Sequence, residues 1–329
     1  MRKSPDKESG AALISALLLV ALMTTIALAI ATDMRFAMRR SANLDVRDQA
    51  YWYALGAREF SEVLLARALE EPDDAFKPDA PWLEGPQIFP IENGQLVGQI
   101  RDGNNCFNIN SLVVRGDNQL LSEDPNQRRR FENLMLALGI PLQDATLVSG
   151  QLIDWLDTDG RPVLGGAEDE AYMRAERGYR TGNTLMVERE ELLSLAAVTP
   201  DIYRVLEPLV CARPVAEGLP LNINTLTLDQ APLLMAYFDG RLSRTDAEGV
   251  LIQRPQSGYA DMTEFWSDPI MLAVEPDRSV QSVFGLTSNY FEIEINVLYA
   301  GMRFELFEIV EWRGGEVLSR VSQRYGSFS

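Results

Sequence analysis

The sequence predicts an α+β protein: a long N-terminal helix packed on an antiparallel sheet, with a large helical block inserted between the strands. Three observations predict it. The N-terminal run is first apolar and then amphipathic, with the spacing of one continuous helix. Two separated segments, near 87–101 and 290–325, alternate apolar and polar residues with the two-residue period of strands. The stretch between them, roughly 114–285, has helical periodicity instead.

The helix comes first. Residues 1–10 are polar and include Arg2, Lys3 and Lys7. Ala11 to Ala31 then runs 21 residues without a charge. As a helix that spans about 30 Å, the thickness of a bilayer core. The basic flank places the N-terminal end in the cytoplasm and the remainder across the membrane. A cut after Ala29-Ile30-Ala31 would make the run a secretory signal peptide, but the apolar part exceeds the roughly 7–15 residues such peptides carry. A cut between Gly10 and Ala11 would keep it as an anchor. From Met34 to Leu69 there is no proline and Gly56 is the only glycine. Leu44, Ala50, Tyr51, Ala54, Leu55, Phe60, Val63, Leu64 and Leu65 form an amphipathic pattern. A discarded signal has no reason to run on into such a helix, which favours the anchor.

Five prolines between Glu70 and Pro90 end the helix. Asn93-Gly94 between short apolar segments signals a hairpin. At the C-terminus, strands are expected at about 290–299, 302–312 and 316–325, with turns at Ala300-Gly301 and Gly314-Gly315. Phe291, Ile293, Ile295 and Val297 share one face of the first; Glu292, Glu294 and Asn296 share the other. Neither β piece alone makes a comfortable sheet, so the hairpin is expected to pair with the C-terminal strands. Helical segments in between include RRRFENLMLALGI, LVSGQLIDWL, REELLSLAAV, LDQAPLLMAYF and SRTDAEGVLIQR. A weak repeat lies inside this block: Cys106-Phe107-Asn108-Ile109-Asn110-Ser111-Leu112 is similar to Leu221-Asn222-Ile223-Asn224-Thr225-Leu226. The stretch after the second copy resembles a helix-hairpin-helix unit, many of which bind DNA. This block lacks a basic hairpin, so a protein-packing role is expected.

Charge narrows the function classes. The formal net charge is −18, against nucleic acid and against docking of the soluble part on anionic lipid. There is no histidine, which excludes Ser-His-Asp and Cys-His centres and removes the commonest zinc ligand. Cys106 and Cys211 are the only cysteines, the number for one disulfide outside the cytoplasm.

The most chemical stretch is LIDWLDTDGRPVLGGAEDEAYM, with Asp154, Asp157, Asp159, Glu168, Asp169 and Glu170. Asp157-Thr158-Asp159-Gly160 has the start of a calcium loop: the Asp-x-Asp spacing converges two carboxylates, and glycine allows the sharp turn. It is not an EF-hand, because Arg161 stands at the third ligand position and no Glu stands at the twelfth. So many carboxylates repel one another unless a cation joins them, and oxygen ligands suit calcium. A solvated acidic loop and a catalytic carboxylate pair are the other readings of the same residues.

Together these features resemble the GspK-like minor pseudopilins, the K type of the type II secretion system. The resemblance rests on the Gly10/Ala11 junction, which looks like a prepilin leader, and on Ser15 where most pilin-like subunits carry Glu. It rests also on the Asn-Ile-Asn segments, on Asp-Trp-Leu-Asp-x-Asp, on Gly-Ala-Glu-Asp-x-x-Tyr at 166–172 and on the late strands. It implies a leader over 1–10, a transmembrane segment over 11–31 and a pilin-like domain over 32–113 and 286–329. The region 114–285 would be an inserted helical domain of helix-hairpin-helix or SAM-like type. It implies a non-enzymatic, single-pass inner-membrane protein with most of the chain in the periplasm, cleaved by prepilin peptidase between Gly10 and Ala11. The subunit would cap the tip of a pseudopilus beside I- and J-type minor pseudopilins and the major pseudopilin, where it could meet secreted protein substrates. Structural calcium is implied in the inserted domain, with Asp157, Asp159, Glu168, Asp169 and Asn183 as ligands, and a periplasmic location would favour a Cys106–Cys211 disulfide. A minor pilin of a type IV pilus-like system and a membrane-tethered periplasmic hydrolase are the alternatives.

Overall fold

The structure is a computed structural model. It describes residues 7–326 apart from 118, 175–177 and 315–317, with backbone only for 7–10, 72 and 73. The first six residues of the expected leader, and Gly315 of the expected last turn, lie outside the described residues.

Helix α1, Lys7–Leu69, is a single helix of 63 residues. Its stretch from Ala11 to Leu44 is exposed throughout and touches no core. By length and composition it can cross a membrane. From Ala50 onward the helix has a buried face, where Ala50, Ala54, Leu65 and Leu69 pack against the sheet. Alanines at 50 and 54 leave room for the sheet's larger side chains. Past the helix, Trp82 is buried and its indole N–H donates to the carbonyl of Ala75 at 2.7 Å.

Two strands follow, β1 (Gln87–Ile91) and β2 (Gly94–Asp102), antiparallel through a tight turn. The helical block then begins with β3 (Phe107–Asn108), α2 (Pro125–Ala137) and α3 (Leu142–Leu156), and returns through β4 (Val210–Cys211). It starts again with β5 (Leu221–Asn222), α4 (Ala231–Met235), α5 (Arg244–Gln253) and α6 (Met262–Trp266), and returns through β6 (Phe284–Gly285). The segment REELLSLAAV, expected as a helix, forms only a 3-10 turn at Arg189–Ser194. The chain ends in β7 (Tyr290–Tyr299), β8 (Met302–Trp312) and β9 (Leu318–Gly326).

The sheet order is β1-β2-β7-β8-β9, antiparallel throughout. The N-terminal hairpin therefore pairs with the C-terminal strands, with Ile100 opposite Ile293 and Leu96 opposite Val297. Phe291, Ile293, Ile295 and Val297 are buried on the face toward α1, as their alternation requires. The expected hairpin forms at Asn93-Gly94. Asn93 takes the left-handed conformation (φ 61°) and Gly94 already belongs to β2. A Cβ at Gly94 would collide with the carbonyl oxygen of Leu298, so glycine there serves the close approach of β2 to β7. The turn at Ala300-Gly301 has positive φ at both residues, as a type I′ hairpin needs.

The sheet and the helical block have separate cores. Several contacts join them, among them the following. Cys106 and Cys211 form a disulfide, with a Cα–Cα distance of 5.8 Å, that packs with Tyr290 and Ile309 of the sheet. The buried Arg213 guanidinium donates to the Gly103 carbonyl at 2.8 Å and to the Glu292 carboxylate at 2.6 Å. Oδ2 of Asp102, at the end of β2, accepts from the hydroxyls of Thr225 and Ser288, both at 2.5 Å, while burial pushes its pKa up.

Candidate metal centre

The acidic residues gather at the C-terminal end of α3 and on the loop that follows. The helix buries Val148, Leu152, Ile153 and Leu156, which fixes its rotation. That rotation also buries Asp154. Its Oδ1 accepts from the Val163 amide at 3.0 Å and draws the returning loop onto the helix. Glycines permit the contact: a Cβ on Gly150 would stand 2.6 Å from the Leu164 carbonyl oxygen, and one on Gly166 would strike the Asp154 carboxylate. The loop is pinned on its other side by Thr158, whose hydroxyl accepts from the Leu121 amide at 3.1 Å.

This packing carries Asp157, Asp159 and Glu168 together. Each brings a carboxylate oxygen within 4.8 Å of the other two. Oxygens that share one calcium ion at about 2.3–2.6 Å lie within such a span of each other. Oδ1 of Asp157 and Oε1 of Glu168 are buried and accept no hydrogen bond. Among the described residues, no Lys or Arg forms an ion pair with any of the three. Burial, reinforced by Asp159, pushes Asp157 up to about 7; burial likewise lifts Asp154 to about 6 and raises Glu168. Mutually repelling carboxylates with no Lys or Arg ion-paired to them among the described residues, Asp157 buried, Glu168 half-buried and Asp159 exposed, fit a divalent cation of the calcium type.

Asp169 and Asn183 stand beside this trio rather than within it. With Asp159 and Glu168 they line a cavity of about 500 Å³. The Thr181 hydroxyl lies 2.9 Å from Asp169 Oδ1 and 3.0 Å from Asn183 Oδ1, and the Thr181 amide also donates to Asp169. Those donors hold the Asp169 carboxyl below its ordinary range. Asn183 has a left-handed backbone (φ 46°), and its amide donates to the Trp155 carbonyl at 2.9 Å, which ties the loop back to the end of α3. Trp155, Tyr172 and Tyr179 pack ring to ring beneath it. Two contributors escaped the sequence reading as working parts. Asp154 was visible only as one more acid, three residues before Asp157; Thr181 carried no signal.

The farther end of the loop is fixed by the Asn-Ile-Asn repeat. Asn110 accepts from the Met186 amide at 2.8 Å and donates to the Met186 and Arg213 carbonyls, both at 2.8 Å. In the second copy Asn224 accepts from the Tyr259 amide at 2.8 Å and donates to the Tyr259 carbonyl at 3.1 Å. Parallel strand pairs close both units: β3 with β4, and β5 with β6.

Two family models, both described as type II secretion system (T2SS), protein K, match residues 105–215 and 221–287, one on each unit. A type II secretion system protein K from Pectobacterium carotovorum subsp. carotovorum is 34% identical over 325 residues, covering 98% of both chains. This chain belongs to the type II secretion system protein K family. Another protein K, from Klebsiella pneumoniae, is 31% identical over 323 residues and covers 98% of both chains. A chain of the GspK-GspI-GspJ complex from enterotoxigenic Escherichia coli superposes with a TM-score of 0.77 at 25% identity, covering 88% of this chain and 100% of that one. As a protein K family member, the chain is a minor pseudopilin of type II secretion, and the long helix with a mixed helical and antiparallel-sheet body agrees with that of GspK.

Proposed function

We propose that this chain caps the tip of the pseudopilus as a non-enzymatic assembly subunit, bound to I- and J-type minor pseudopilins and seated on the major pseudopilin. The observation that carries this reading is the likeness over most of the chain to a subunit of the GspK-GspI-GspJ complex. Ser15 supports it: a subunit without a carboxylate at that position has nothing to offer the N-terminal amine of a subunit above it. In this reading prepilin peptidase cuts between Gly10 and Ala11, Ala11–Ala31 anchors the subunit in the inner membrane, and the body stands in the periplasm. The body is a pilin-like domain whose inserted helical block is of helix-hairpin-helix or SAM-like type. That block packs protein; its acidity gives it no purchase on nucleic acid. Secreted substrates would meet the exposed end of the block.

Calcium belongs to this proposal as a structural ion. Asp157, Asp159 and Glu168 would hold it, with Asp169 and Asn183 on the rim. Bound there, a divalent cation neutralises three carboxylates that the fold forces together. The residues' own part is to hold the loop: Asp154 takes the Val163 amide and Thr181 orients Asp169.

Co-expression of the full chain with I- and J-type subunits tests the assembly reading. One complex containing all three in size-exclusion chromatography is expected. A chain that elutes alone while the other two pair would overturn it.

A further inference from the structure

Beyond Ala31 the helix carries a short band in which cationic and apolar side chains alternate: Met34, Arg35, Phe36, Met38, Arg39 and Arg40. Among the described residues, nothing packs on it. Met34, Phe36 and Met38 are 54%, 66% and 65% exposed, and the three arginines are exposed and make no ion pair among the described residues. Apolar side chains this open, on a helix leaving a bilayer, belong in the interfacial layer rather than in bulk water.

We infer that Arg35, Arg39 and Arg40 bind the phosphates of anionic phospholipid headgroups on the membrane face from which the body emerges. The inference rests on the anchored reading above. Three features carry it. The first is depth: at 1.5 Å per residue, Arg35 lies about 6 Å past Ala31, and Arg39 and Arg40 about 12–14 Å past it. The headgroup layer is about 5–8 Å thick on each side. The second is direction. In a helix the Cα–Cβ bonds tilt toward the N-terminus, so side chains beyond the anchor lean back toward the bilayer. Arg35 and Arg39, four residues apart, share one face, while Asp33 stands about 200° round the helix from Arg35. The third is sign. Cations flanking an anchor normally collect on the cytoplasmic side, yet three sit on the far side of a chain whose net charge is −18. That placement works against topology and needs another use; guanidinium groups suit phosphate oxygens.

The acidic body adds a consequence. It is repelled by the same anionic surface that the band grips, so the body is held off the membrane while α1 is fixed at one depth.

The full chain is reconstituted in phosphatidylcholine vesicles containing a minor share of phosphatidylglycerol. Spin-labelled forms of both lipids report which is immobilised at the protein. Wild type should prefer phosphatidylglycerol about twofold or more, and the preference should weaken in high salt. It should vanish in Arg35→Gln/Arg39→Gln/Arg40→Gln and persist in the triple Lys variant. A chain that resists carbonate extraction yet shows no preference overturns the inference alone; arginines reserved for acids on a partner subunit would give that result. A preference that survives the triple Gln change also overturns it. A chain stripped from the vesicles by carbonate overturns the anchored reading, and the inference with it.

Discussion

The two halves of the helical block share a frame and differ in what the frame carries. In the first, Asn108 accepts from the Asn110 amide, and Asn110 clamps Met186; in the second, Asn222 accepts from the Asn224 amide, and Asn224 clamps Tyr259. Past each clamp the helical turns start alike. Glu188 is capped with Glu191, whose carboxylate takes the Val187 amide; Asp261 caps α6, and Glu264 takes the Ala260 amide. The difference lies between the end of the second helix and the clamp. In the second half only residues 254–258 intervene, and Arg254 fills the gap by donating to the Ile223 and Leu226 carbonyls, both at 2.8 Å. In the first half residues 157–185 intervene, the next residue after the helix is Asp157, and the acidic cluster stands where the other half uses a guanidinium. One unit closes its gap with its own cation; the other gathers Asp157, Asp159 and Glu168 with no Lys or Arg ion-paired to them among the described residues. The first half is also the one with a disulfide: Cys211 pairs with Asn108 in the strand ladder where the second half has Gly285 opposite Asn222.

The comparison can be broken at its strongest point. Replacing Cys106 and Cys211 with serine opens a loop closed over a sequence separation of 105. It should cost about 4 kcal/mol in chemical denaturation. If the halves are stabilised separately, hydrogen exchange in the double Ser variant should rise around Asn110 and Met186 and stay protected around Asn224 and Tyr259. Uniform loss would mean that the two units unfold as one. Next in size come the clamps. Asn110→Ala and Asn224→Ala each strand buried backbone groups, and each should cost about 3 kcal/mol. Similar losses support a shared frame; a loss confined to Asn110 would make the second clamp ornamental.

The sheet was legible because its information is local: alternation in β7 and β8 and the Asn93-Gly94 and Ala300-Gly301 pairs stand in consecutive residues. What it could not show is the second job of Gly94, set by a neighbour some two hundred positions away, the Leu298 carbonyl. The frame of the helical block was half legible. The Asn-Ile-Asn copies are visible, but what they clamp, Met186 and Tyr259, lies 76 and 35 residues further on with no resemblance between them. At the cluster, the convergence of Asp157 and Asp159 follows from adjacency, and that of Glu168 from Gly165-Gly166 folding the loop back. Burial of Asp154 was hidden, since only the helix rotation set by Leu152, Ile153 and Leu156 decides it.

Calcium sharpens the contrast next. At a hundredfold excess over its dissociation constant, calcium should add about 2.7 kcal/mol to the first half's stability. Asp157→Asn/Glu168→Gln should abolish the gain, whereas Arg254→Gln should lower stability with the calcium increment intact. A wild-type chain whose melting is unmoved between calcium and chelator would leave the acidic loop without an organiser and sink the structural-ion reading.

The smallest expected effect is in the pH dependence of the chelated protein. Asp157 and Asp154 are raised in the fold, to about 7 and about 6, above the 3.8 of an unperturbed aspartate. Between those values the native state therefore holds more protons than the unfolded one, and stability falls as pH rises. Without a cation, the fold should be firmer at pH 5 than at pH 8, by about 2 kcal/mol once the roughly 4 kcal/mol of the full shifts is halved for solvent screening, because each ionisation leaves a charge without a cationic partner. Calcium replaces those protons, so with the ion present stability should hold or rise over the same interval. Asp157→Asn, which cannot ionise, should flatten most of the chelated slope. The second half offers the control: Arg254 stays charged across that range, so Arg254→Gln should leave the slope unchanged. A slope of the opposite sign in chelator would show that the carboxylates find donors within the chain, and that the first half, like the second, closes its gap unaided.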